Sequence, residues 1–155
     1  VSVVDRPAGP TRRQTSAAAQ RGGYVVAAIV NGVLLWLLAV EPGWRAVPFL
    51  TEDAAAVVPL VGASLAAGIV ANGVYVLVDS PVVRAVGEMV VTGIGLVALV
   101  ATWRVFPFAF TDPAVDWEYV TRVVLVFAMV GSVVGIVVAL VRLVLALARP
   151  ASAAP

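Results

Sequence analysis

Residues 54–78 run AAAVVPLVGASLAAGIVANGVYVLV, without a charge between Asp53 and Asp79. A helix needs about 20 predominantly apolar residues to cross a hydrocarbon core roughly 30 Å thick. This stretch is long enough, and it lacks the apolar–polar alternation of a barrel strand. Three further segments read the same way. Gly22–Val40 lies uncharged between Arg21 and Glu41. Pro81–Trp103 carries Arg84 and Glu88 in its first turns and is uncharged from Met89 onward. Val123–Val141 lies between Arg122 and Arg142, and its helix is expected to run past both. The expected fold is therefore an all-α integral membrane protein of four transmembrane helices, an up-down bundle.

Composition agrees. Of 155 residues, 62% are apolar and 12% charged, with a mean hydropathy of +1.06. A soluble domain carries about 25% charged and 45–50% apolar residues. The chain has no His and no Cys, and all ten basic residues are Arg. Disulfides, thiolate and imidazole metal sites, Ser-His and Cys-His nucleophiles and Schiff-base lysines are thereby excluded. Haem ligation by His or Cys goes with them. Arginine-only basicity with heavy Ala and Val usage is what a GC-rich bacterium would give.

Helix punctuation supports the boundaries. Ser80-Pro81 sets an N-cap before a proline at the first helical position, and Asp112-Pro113 repeats the device. The fourth helix is thus expected to start near Pro113, with Asp116, Trp117, Glu118 and Tyr119 at the membrane surface. Pro59 predicts a kink early in the second span. Residues 1–21, rich in Pro, Ala, Ser, Thr, Gln and Arg without periodicity, read as a disordered cytoplasmic arm, and residues 150–155 as a disordered tail. The arm's arginines could touch anionic headgroups, but setting topology is the plainer role.

Arginines give the orientation. With four crossings, one side holds Arg6, Arg12, Arg13, Arg21, Arg84, Arg142 and Arg149, and the other Arg45, Arg104 and Arg122. Seven against three places both termini in the cytoplasm and the protein in a bacterial plasma membrane. A signal peptide is the rival reading of the first span, but no small-x-small cleavage site follows it.

Trp44-Arg45-Ala46-Val47-Pro48-Phe49 returns 59 residues later as Trp103-Arg104-Val105-Phe106-Pro107-Phe108. Trp, Arg, Pro and Phe coincide, and each copy joins one span to the next. The chain reads as two duplicated helical hairpins, about 22–80 and 81–149, related by a pseudo-twofold axis along the membrane normal. Small residues mark close helix contacts in lipid. Ser64-x-x-x-Gly68 in the second span aligns with Gly131-x-x-x-Gly135 in the fourth, so these two helices are expected to meet at that axis. Homodimerisation through the same faces is the alternative. The Trp-Arg blocks could bind a headgroup or an external partner, but interfacial anchoring explains them more simply.

A polar layer is also expected. At 1.5 Å per residue, Asn31 lies about 12 Å in from Gly23, Asn72 about 9 Å in from Val78 and Glu88 about 10 Å in from Pro81. Arg142 reaches a similar level if the fourth helix continues to Ala148. Glu88 should point inward with Arg142 or Arg84 as counter-ion.

The layer is either interhelical glue or an ion or solute site. No G-x-S-x-G, P-loop, zinc or dinucleotide motif is present, and Gly93-Ile94-Gly95 lies within a span. The outer acids lack EF-hand spacing. A net charge of +1 with scattered arginines offers no nucleic-acid surface. The expected function is that of a non-catalytic interaction or accessory component of the plasma membrane, without cofactor or metal. Its partners would be the lipid bilayer and a membrane protein or a second copy. The alternative is an oligomeric channel or small-solute transporter.

Overall fold

Helix signals at short range set where each long helix begins. The computed structural model describes residues 12–111 and 114–148, with side chains from residue 18 in the first helix. Four long helices form: α1 (Arg12–Ala39), α2 (Val58–Leu77), α3 (Pro81–Val105) and α4 (Trp117–Leu147). Among the described residues there is no strand, only one isolated bridge pair. All four helices are long and apolar enough to cross a membrane, the architecture of a multi-pass membrane protein.

Ser80 caps α3 as its sequence announces, its side chain accepting from Val83 N at 3.4 Å with Pro81 in the first turn. The other starts depart from expectation. Pro59 lies in the first turn of α2, where a helix has no need of its N–H, so it opens the helix rather than kinking it. Residues Glu52–Ala56 form a separate 3-10 turn ahead of it. The fourth helix begins at Trp117, capped by Asp116, whose carboxylate accepts from Tyr119 N at 2.9 Å. Residues 114–116 ahead of it are not helical, so α4 starts later than Pro113. Asp112-Pro113 lies outside the described residues. At the other extreme α1 starts at Arg12, so residues 12–21 are helical rather than an irregular arm. Ala, Arg and Gln are good helix formers, and lack of apolar periodicity does not stop them from extending a helix already nucleated in the span. Residues 1–11 and 149–155 lie outside the described residues.

The helices pack in chain order, α1 on α2, α2 on α3 and α3 on α4. The contacts are made largely by small side chains: Ala85, Ala98 and Ala139 are buried, as is Gly68. Lipid offers little hydrophobic drive for helix association, so close backbone approach has to supply van der Waals contact. The expected meeting of α2 and α4 is not how the helices pack. Ser64 faces α3, where a Cβ on Gly95 would stand 3.4 Å from its Oγ. Gly68 lies against Asn31 of α1, and Gly135 against Thr92 of α3. Nothing approaches within 4 Å of where a Cβ on Gly131 would be. Similar sequence marks in α2 and α4 therefore serve different neighbours, because α3 lies between the two helices.

One approach is tighter than the rest. The Tyr75 ring lies directly over Gly87 of α3, where any Cβ would collide with it. Tyr75 is 8% exposed and is held by an edge contact with Tyr24, so its ring has little room to yield. Gly87→Ala is expected to destabilise the protein by about 1–3 kcal/mol, the usual cost of overpacking. Gly68→Ala should cost less, since it meets only the end of the Asn31 side chain. Melting of both variants in detergent checks the order.

Candidate functional site

Polar side chains gather where α3 begins. Arg84 and Glu88 are one turn apart and so share a face of that helix. The Arg84 guanidinium donates from Nη2 to Asp79 Oδ1 at 2.9 Å and from Nη1 to the Tyr24 hydroxyl at 3.3 Å. Gln20 Nε2 donates to the same hydroxyl at 3.2 Å. Tyr75 donates its hydroxyl to the Arg84 carbonyl at 3.3 Å, and its ring meets Tyr24 edge-on, 5.3 Å between centroids. Arg84 thus ties α1, the α2–α3 turn and α3 together, with Tyr75 adding α2. Deeper by a turn, Arg142 Nη1 of α4 donates to Glu88 Oε2 at 3.3 Å. Gln20, Tyr24, Arg84, Glu88 and Arg142 line a cavity of about 300 Å³, its walls completed by Pro81, Ala85, Leu145 and Ala146.

The Glu88–Arg142 pairing matches the charge reading of the sequence, and it joins α3 to α4. Arg84 takes Asp79 and Tyr24 in place of Glu88. The two asparagines do not join the charged groups. Asn72 Nδ2 donates back to the Gly68 carbonyl at 2.7 Å within its own helix, and Asn31 leans on Gly68 from α1. The expected single layer is therefore a charged cluster and a separate amide contact. Sequence reasoning missed Tyr24, Tyr75, Gln20 and Asp79. Tyrosines at span ends read as interfacial anchors, and only the helix rotation reveals that these two meet.

The opposite end carries the Trp-Arg blocks. After α1, a cis Glu41–Pro42 bond and Gly43 at φ 76° lead into a 3-10 turn, Trp44–Ala46. Arg45 folds over its own Trp44 at 4.7 Å and stands 4.0 Å from Glu52, a highly exposed pair that contributes little. The second block is built differently. Trp103 and Arg104 form part of the last turn of α3, which ends on Phe106 at φ 45°. Arg104 is exposed, and the arginine over Trp103 is Arg122 of α4, at 5.2 Å, which also lies 4.2 Å over Phe106. Glu118 holds Arg122 in place at 3.0 Å, one turn back on α4.

The two blocks meet. Leu50 and Phe108 form an antiparallel bridge, with Thr51 N donating to Pro107 O at 3.0 Å and Ala109 N to Phe49 O at 2.9 Å. Phe110 stacks on Phe49 and on Phe108 at 5.9 and 6.0 Å and touches Trp117 at 6.3 Å. Pro48 lines a small hollow beside these rings. The bridge exchanges Leu50 with Phe108, one position off the register that superposes the two sequence blocks. Among the described residues, no group of three acids gathers to hold a metal ion.

Two outcomes follow for stability in detergent. Arg84→Gln should cost more than Arg142→Gln, because Arg84 binds two other elements with 22% of its side chain exposed, whereas Arg142 is 63% exposed and has one partner. The exposed pair is worth about 1 kcal/mol at most. At the far end, Phe110→Ala should exceed Phe49→Ala, since Phe110 meets three rings and Phe49 one, each contact being worth about 0.5–1.5 kcal/mol. Melting temperatures that reverse either order would contradict the contact assignment.

Comparison with known protein families, with curated proteins and with solved structures finds no match.

Proposed function

We propose that the chain is a non-catalytic interaction or accessory component of a bacterial plasma membrane. Its four helices run alternately up and down, with both ends of the chain in the cytoplasm. Seven of ten arginines on the side of the Arg84 cluster support that orientation. The duplicated-hairpin reading draws support from the sequence blocks and from the meeting of the two loops, although Trp44 and Trp103 stand in different local structures.

The observation that carries the functional reading is how the intramembrane charges are used. Arg84, Glu88 and Arg142 are paired with neighbours and tie helices together. The cavity they line reaches along α3 from Pro81 to Glu88, about 10 Å at the helical rise. That is a recess at one end of a 25-residue helix, which favours glue over a passage for solute. Meanwhile α4 turns most of its length outward, with Phe127, Val130, Val134, Val137 and Val141 all exposed. Gly131 is exposed on the same helix, with nothing within 4 Å of where its Cβ would be. A small residue that admits a close neighbour suits a further membrane helix, from a partner protein or a second copy, at α4.

The chain has no cysteine, so introduced thiols report without background. Ala109→Cys should react with an impermeant reagent in intact cells, and Ser16→Cys should stay silent. The reverse pattern overturns the orientation. Gly131→Cys and Val134→Cys, treated with a membrane-permeant crosslinker, should yield one discrete product of fixed mass. Exclusively monomeric protein in that experiment, with no stoichiometric companion on mild-detergent isolation, would remove the accessory role.

A further inference from the structure

The recess beside Arg84 has unspent binding capacity. A guanidinium has five N–H donors. Arg84 gives one to Tyr24 and one to Asp79, and Arg142 gives one to Glu88, leaving about three and four. Both arginines line the cavity of about 300 Å³. With Glu88 the lining carries a net charge of +1, but Asp79, just outside it and 69% exposed, is ion-paired to Arg84 at 2.9 Å, so the two arginines and two carboxylates together are neutral. What the cavity offers an anion is therefore the unused N–H donors of two guanidiniums.

Depth identifies the kind of anion. Arg84 lies about 5 Å from the start of α3, and Arg142 about 8 Å from the end of α4 at the helical rise. One guanidinium is thus near the level of a bilayer's phosphates, and the other is a few ångströms closer to the hydrocarbon. Gln20 and Tyr24 of α1 line one side, and the apolar part of the wall is provided by Pro81, Ala85, Leu145 and Ala146 on two different helices. A ligand that fits has a phosphodiester at the outer arginine, ester carbonyls within reach of the inner one and an apolar tail beyond. Basic recesses between membrane helices suit such headgroups.

We propose that this recess is a specific site for an anionic glycerophospholipid. Its phosphodiester is bound by Arg84, and its glycerol esters accept from Arg142. Glu88 then acts as a positioning residue: it holds the Arg142 guanidinium over the recess and prevents it from extending to the headgroup surface. The site joins α1, α3 and α4, so a bound lipid closes the end of the molecule at which α1 and α4 are not packed on one another.

The test uses the full chain purified in mild detergent, with lipid binding read by native mass spectrometry and by melting temperature. Phosphatidylglycerol should bind one per chain at least tenfold more tightly than phosphatidylcholine, and should raise the melting temperature. Inorganic phosphate at the same concentration should neither bind nor raise it. Arg84→Gln should weaken phosphatidylglycerol binding tenfold or more, and Arg122→Gln at the far end should leave it unchanged. Ala146→Phe fills the recess with all charges retained and should weaken binding equally, so it decides the matter if Arg84→Gln does not fold. Equal affinity for the two lipids, or full binding by Ala146→Phe, overturns the proposal. Stabilisation by inorganic phosphate alone makes this a free-anion site and overturns the lipid assignment.

Discussion

The missing side chain at Gly87 is the condition on which one whole end of the molecule rests. Because α3 presents bare backbone there, the hydroxyl end of the Tyr75 ring comes up against it and places its hydroxyl on the Arg84 carbonyl. Tyr24 then meets the edge of that ring, and its own hydroxyl comes within reach of the Arg84 guanidinium. Three helices are brought into register by a contact that needs no charge. The charges follow, since Arg84 can hold Asp79 only once its stem is fixed. A buried ion pair by itself is a weak source of stability, because desolvation offsets much of its attraction. Here the charged groups stay partly exposed and the packing beneath them sets their geometry.

The opposite end uses another device. Two short extended segments pair through their backbones, and stacked phenylalanines cover the join. Loops in hydrocarbon would leave peptide groups unsatisfied, so this pairing together with the two 3-10 turns keeps the connections compact and internally bonded. Arg122 over Trp103 and Phe106 seals the start of α4 to the end of α3. An arginine beside aromatic rings keeps part of its polarity in water while its stem covers apolar surface.

What the sequence discloses is what depends on nearest neighbours along the chain. The four spans and the Ser80 cap are of that kind, and the long-range pairing of Glu88 with Arg142 was legible only because few charges lie within the spans. The onset of α1 at Arg12 was hidden because helix propensity without apolar periodicity resembles an irregular polar arm. The start of α4 at Trp117 depended on the Asp116 cap, which adjoins the continuous helix. The neighbours of Gly68, Gly87 and Gly135 were beyond reach for a different reason. None of the spans has a pronounced polar and apolar face, so the sequence holds little record of which side of each helix turns inward. Rotation about the helix axis is what brings Tyr24 to Tyr75 and sends Arg122, not Arg104, to Trp103.

The aromatic residues are segregated in a way that makes the two ends optically distinct. All four tryptophans, Trp36, Trp44, Trp103 and Trp117, stand toward the end where the loops pair, whereas Tyr24 and Tyr75 stand at the other. Trp103 lies beneath a guanidinium and Trp117 beside Phe110. Indole emission is therefore a local gauge of the loop end. Loosening of the Arg84 end alone would pass almost unseen by tryptophan fluorescence, while the near-ultraviolet dichroism of the Tyr24–Tyr75 pair would register it.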